Sequence, residues 1–145
     1  MEGHKDQFDL QRFVDAQNSV FDCVCAELRV GHKQTHWMWF IFPQLAGLGS
    51  SAMAVRYAIS GKLEAQAYLA HELLGPRLRQ CTQLVNEAEG RSVSEIFGYP
   101  DDLKFHSSMT LFAQVAPQEE SFTEALQKYF SRQPDRQTLL LLNRT

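Results

Sequence analysis

Long apolar runs are missing from this chain. The longest, Trp37 to Phe42, has six residues, and the next, Leu139 to Leu142, has four. A membrane-spanning helix needs about 20, so no span and no membrane partner are expected. The first residues, Met1-Glu2-Gly3-His4-Lys5-Asp6, lack the apolar stretch of a signal peptide, which points to a cytoplasmic protein. Positive charge is not in excess either: 14 Lys and Arg against 17 Asp and Glu leave a net charge of −3. Nucleic-acid binders need clustered cations to displace counterions, so no nucleic-acid partner is expected. Cysteine is sparse and odd in number, with Cys23, Cys25 and Cys81. That count in a chain without an export signal reads as reduced thiols. On a helix Cys23 and Cys25 would point about 200° apart, so they read as small hydrophobes and not as a bridge or a metal edge. Alternating β-branched stretches, internal repeats, low-complexity tracts and long linkers are absent too.

What remains is an ordinary globular composition. The chain has 145 residues, 44% of them hydrophobic and 21% charged, about the commonest size for one domain. Aromatics are plentiful at 11%, with ten Phe. Six of the sixteen Phe, Trp and Tyr fall in two blocks, Trp37 to Phe42 and Phe105 to Phe112.

The pattern predicts an all-α fold: one multihelical domain over residues 1–145, with seven or eight helices around an aromatic-rich core and a loosely ordered segment at 1–8. Phe13, Val14, Gln17, Val20, Phe21, Val24 and Leu28 follow the 3–4 spacing of one helical face. Asp6 or Asp9 can cap that helix, and Gly31 sits where a C-terminal glycine belongs. Thr35 can cap a short helix that Pro43 stops. Ser50 or Ser51 can start the next, through Met53, Val55, Tyr57 and Ile59. A helix over Glu64 to His71 follows. Gly75-Pro76 reads as a break before a helix carrying Leu78, Cys81, Leu84, Val85 and Ala88. Ser92 to Glu95 matches a capping box. Pro100-Asp101-Asp102 opens a helix through Leu103, Met109, Leu111 and Phe112, because the helix dipole favours acids in the first turn. Ser121 to Phe130 and Asp135 to Leu142 close the chain.

Several constellations are candidates for chemistry. His32 and His36 have the spacing of a metal edge, but Gly31 intervenes and no third ligand is evident, so no metal and no cofactor are expected. Lys33, His36, Trp37, Trp39 and Gln44 could frame a planar ligand, an indole stacking on it and the lysine meeting its anion; the plain alternative is a central core helix. Asp101, Asp102, Lys104, His106 and Ser107 form a dense polar stretch next to Ser108. Asp102 and His106 are four apart and could hydrogen-bond on a helix, and a carboxylate beside Lys104 could act as acid or base. Capping and a local ion pair explain the same residues. Arg56, Arg77 and Arg79 with Lys104 could converge on a phosphate or be solvated surface charges. The candidate catalytic residues are therefore Asp101, Asp102 and His36. The candidate ligand-binding residues are Lys33, Trp37, Trp39, Gln44, Arg56, Arg77, Lys104, His106 and Ser107.

Long motifs also carry a resemblance. They are His36-Trp37-Met38-Trp39-Phe40-Ile41-Phe42-Pro43-Gln44-Leu45 with Gly47-Leu48-Gly49, then Arg56-Tyr57-Ala58-Ile59, and Glu64-Ala65-Gln66-Ala67-Tyr68-Leu69 leading to Leu74-Gly75-Pro76-Arg77-Leu78. Ile96-Phe97-Gly98, Asp101 to Phe105 and Ser107 to Phe112 complete them. Nearly end to end, the chain resembles the bacterial and fungal family catalogued as domain of unknown function number 1810, some members of which are labelled calpastatin-like. The resemblance implies a single multihelical domain and no particular reaction. Gly61 stands where the family usually has a serine or other helix-starting residue, and Gln34-Thr35 where a basic residue and a serine are common.

The closing turns after Asp135 are also similar to the end of helical N-glycosidases that act on riboflavin precursors and ADP-ribose. That likeness implies Asp101 or Asp102 polarising a water or steadying a ribosyl cation. The functional expectation is binding, with or without hydrolysis, of a small anionic molecule such as a nucleotide or ADP-ribose-like compound. The alternative is a non-enzymatic protein-interaction module that uses an aromatic surface.

Overall fold

A computed structural model describes residues 6–144. Of the segment expected to be loosely ordered, residues 1–5 lie outside the described chain. Asp6 accepts the backbone N–H groups of Leu10 and Gln11 at 2.6 and 2.8 Å, and Phe8 packs on the core. The described residues form ten helices and no strand ladder, so the fold is all-α, with more and shorter helices than the seven or eight expected.

They are α1 (Gln11–Asn18), α2 (Phe21–Val30), α3 (Met38–Ile41), α4 (Ala52–Arg56), α5 (Lys62–Ala70), α6 (Leu74–Glu87), α7 (Val93–Phe97), α8 (Asp101–Val115), α9 (Glu120–Phe130) and α10 (Arg136–Leu142). The continuous stripe from Phe13 to Leu28 is two helices, broken at Ser19-Val20, where Val20 leaves helical geometry at φ −123°, ψ −6°. Each half then turns its own apolar side inward. Gly31 ends α2 in the left-handed region, φ 79°, as its position predicts.

The capping box at Ser92 and Glu95 is complete, Ser51 caps α4, and Asp135 caps α10. Thr35 does not cap α3: its hydroxyl goes to Glu27, and Trp37 takes the N-cap position without a side-chain bond. Gly75-Pro76 is no break. Both residues lie in the first turn of α6, and His71 supplies the cap, its Nδ1 accepting from the N–H groups of Leu73 and Leu74.

The core is one contiguous cluster that draws on nearly every helix. Helix α8 runs through it, packed against α5, α7, α9 and α10. Its Phe105 stands edge-on to Phe42, with centroids 5.0 Å apart, and stacks on Phe97 at 4.7 Å. Leu103, placed inward by its spacing, is instead 52% exposed, because it lies about 200° around the helix from the fully buried Phe105. The extended stretch after Pro43 returns beside Ile59: the Ile59 N–H donates to Gln44 O and the Ala46 N–H to Ile59 O, both at 2.8 Å. That pairing holds Gln44 and the Gly47-Leu48-Gly49 loop over the start of α8. No described helix is long and apolar enough to cross a membrane.

Candidate functional site

Between the 44–54 loop, the first half of α8 and the start of α10 lies a cleft of about 420 Å³. Gln44, Ser51, Lys104, Ser107, Asp135 and Gln137 supply its polar lining; Leu48, Ala54, Pro100 and Leu103 supply its apolar lining. Helical spacing explains the α8 contribution, since Leu103, Lys104 and Ser107 share one face at i, i+1 and i+4.

Lys104 is fixed from two sides. Its ammonium lies 3.3 Å from Asp101 and 5.2 Å from the centre of the Trp39 ring. Asp101 is held in turn by Lys33 at 2.8 Å, and the Lys33 ammonium sits 5.0 Å over the Trp37 ring. Two lysines on one carboxylate leave one net positive charge, and Lys104 carries it to the cleft. Ser107 donates to Leu103 O at 3.1 Å and to Asp135 Oδ2 at 3.4 Å. The same Oδ2 accepts the Thr138 N–H and hydroxyl. No hydrogen bond from a described residue reaches Asp135 Oδ1 or the side-chain amide of Gln44.

Of the twelve residues singled out by sequence, Gln44, Lys104 and Ser107 line this cleft together. Asp101 and Trp39 support Lys104 from behind. Asp102 turns away, accepting the Ser94 hydroxyl at 3.0 Å and the Leu103 N–H at 2.9 Å. His106 is not bonded to Asp102; its Nε2 lies 2.7 Å from Gln133 O, and its ring stacks on Phe130 at 3.9 Å. His36 is exposed and outside the cleft.

Trp37 is buried, its indole N–H donated to Glu27 at 2.9 Å. Arg77 binds Gln17 and Asn18 across α1 and lies over Phe21. Arg56 lies over Tyr57, which raises the guanidinium pKa. Arg79 pairs with Glu119. The four cations therefore do not converge. No group of three His, Cys, Asp or Glu among the described residues could hold a metal.

Sequence reasoning took Asp135 and Ser51 as helix starts only, and passed over Gln137 and Glu27. Glu27 has no local motif; its role appears only when the 32–37 loop folds back on α2. There its carboxylate accepts from the amides of Gln34 and Thr35, the hydroxyl of Thr35, the indole of Trp37 and the thiol of Cys23. Burial pushes the Glu27 pKa up, but the Thr35 hydroxyl, the two amides and the Cys23 thiol bind the charged form more strongly, and the net is a fall to about 2. The same carboxylate raises the Cys23 thiol pKa. Cys25 of α2 and Cys81 of α6 are both buried; the neighbouring Cys25 thiol and burial raise Cys81, while the neighbouring Cys81 lowers Cys25 to about 7.

A larger hollow of about 580 Å³ lies between residues 6–11 and the end of α5. None of the twelve candidates lines it, and its Asp6 is occupied by backbone amides. The smaller cleft is therefore the better candidate site.

The model of the family described as "Protein of unknown function (DUF1810)" matches residues 7–142. Among solved structures, the chain is similar to the crystal structure of the conserved hypothetical protein Rv1873 from Mycobacterium tuberculosis. Identity is 59%, the match covers 97% of this chain and 100% of that one, and the TM-score is 0.95. No curated protein matches the chain.

Proposed function

The chain belongs to the family of proteins of unknown function DUF1810, a membership that supplies a fold and no reaction, and from that premise we propose that the cleft on α8 binds a small anionic molecule. The observation that carries this reading is the Lys33–Asp101–Lys104 chain. It brings one positive charge to a cleft that also holds the Asp135 carboxylate and the unbonded amide of Gln44. A lysine held by an aromatic face and a carboxylate loses little side-chain freedom when an anion arrives, which lowers the cost of binding.

The reading is of binding, and no hydrolytic step is drawn from Asp101 or Asp102. Asp101 is spent on two lysines, and Asp102 on Ser94 and a backbone amide. Trp37, Phe40, Phe42, Phe105 and Phe112 are all buried, which favours this reading over an aromatic interaction surface.

Calorimetric titration with phosphate, AMP and ADP-ribose tests the proposal on the native protein and on Lys104→Met, which keeps the aliphatic stem over Trp39. At least one anion is expected to bind, roughly tenfold or more weaker in the variant, a loss of about 1.4 kcal/mol. Equal affinities in the two proteins, or no binding by any anion, would sink it.

A further inference from the structure

The wall of the cleft narrows the ligand class. No aromatic ring lines it. Trp37 is 1% exposed, and Lys104 covers the face of Trp39. A nucleobase therefore finds no platform on which to stack, although base recognition leans on such stacking. The lining is instead rich in groups that pair with hydroxyls. Gln44 offers an amide that both donates and accepts, and Ser51 and Gln137 also line the cleft.

Asp135 is the most specific of these groups. Its Oδ2 is used by Thr138 and Ser107, whereas Oδ1 meets no donor from the described residues. An ionised carboxylate oxygen only accepts, so a ligand group seated against it has to be a donor. An anionic group cannot, and neither can an apolar one. Lys104 calls for an anion at the α8 side of the same cleft. At about 420 Å³ the space lies toward the small end of the roughly 300–1,000 Å³ typical of small-molecule sites.

We infer that the cleft takes a monosaccharide-sized polyol bearing one anionic group, a sugar phosphate or a sugar acid, with its hydroxyls on Asp135 and Gln44 and its anion on Lys104. This rests on the anion-binding reading above and goes beyond it by assigning the uncharged part of the ligand. Phosphate and carboxylate are two sources of the same anionic chemistry, and separate probes distinguish them.

The experiment is calorimetric titration of the full chain with ribose 5-phosphate, 2-deoxyribose 5-phosphate, gluconate and AMP. The proteins are wild type, Asp135→Asn and Gln44→Leu. Asparagine caps a helix about as well as aspartate, so Asp135→Asn keeps α10 while placing a donor or a neutral oxygen where Oδ1 stood. Gln44→Leu removes the amide at similar volume and serves if the first variant does not fold.

Ribose 5-phosphate or gluconate is expected to bind wild type, and one of the two to bind more tightly than AMP. A tenfold or larger loss is expected in Asp135→Asn or Gln44→Leu. Where the phosphate ester is the binder, removing the 2-hydroxyl weakens it several-fold. If AMP binds through Lys104 while neither polyol binds, or if both variants bind the polyol as wild type does, the polyol class falls and anion binding stands. If none of the four probes binds, and phosphate and ADP-ribose fail as well, both readings fall together.

Discussion

At Glu27 one carboxylate accepts five hydrogen bonds and ties the 32–37 loop to α2. That loop places Lys33 on Asp101, and Asp101 holds Lys104 at the cleft, so a residue outside the site sets its charge. Glu27→Ala leaves the buried Trp37 indole N–H without a partner and is expected to cost about 2–3 kcal/mol in urea unfolding. A loss below half a kcal/mol would mean that water replaces the carboxylate freely. The same group makes stability depend on acid. Its folded pKa lies near 2, against 4.5 for the free side chain, so its contribution is fully present above about pH 4.5 and drains as pH falls toward 2. The stability gap between wild type and Glu27→Gln should therefore shrink steadily across that window. A gap that stays constant from pH 6 to 2.5 would refute the assignment. The thiols belong to this scale too. Exposed Cys23 should be alkylated before buried Cys81 under native conditions, with peptide mapping as the readout.

Among the elements, α6 shows where local patterns mislead. Gly75-Pro76 has the composition of a break, and proline does suit a first helical turn. The glycine is there for a different reason: a Cβ on it would fall 2.2 Å from the Leu69 carbonyl oxygen at the end of α5. Backbone cannot yield as a flexible side chain would, so Gly75→Ala is expected to cost about 3 kcal/mol. A thermal melt unchanged by the substitution would show that α5 and α6 can part without loss.

Arg12 joins elements in a similar way. From α1 it donates to the carbonyls of Phe8, Asp9, Arg56 and Ala58 and pairs with buried Glu64 of α5 at 2.9 Å. Arg12→Ala strands Glu64, which is 3% exposed, and such a loss runs to roughly 3–5 kcal/mol. Arg12→Lys should recover only part of it, since lysine lacks the planar fork that reaches several acceptors at once. Full recovery in chemical denaturation would count against that geometry. Periodicity reads the inward faces of α6 and α9 correctly, and capping chemistry reads the starts of α4, α7 and α10. It misses the break between α1 and α2, because the apolar stripe runs on through Ser19 and Val20.

Over the described residues the core is continuous from Leu10 to Leu142. Far-UV circular dichroism and tryptophan fluorescence, the latter dominated by buried Trp37, should therefore report one coincident unfolding transition. Two separated midpoints would indicate independent parts.

Sequence by itself determined the helical class, the family, the buried aromatic blocks and most helix ends, because these follow from short-range rules of period, capping and turn chemistry. It also marked Gln44, Lys104 and Ser107, which the fold brings to one cleft. Only the tertiary structure decided that Asp102, His36, His106, Arg56 and Arg77 stay apart from that cleft, and that Asp135 and Glu27 matter. Those outcomes depend on which elements meet across 28, 31 or 68 residues of chain (Ser107 to Asp135, Lys104 to Asp135, Lys33 to Asp101). No local pattern encodes such meetings, since they are set by how ten helices share one core.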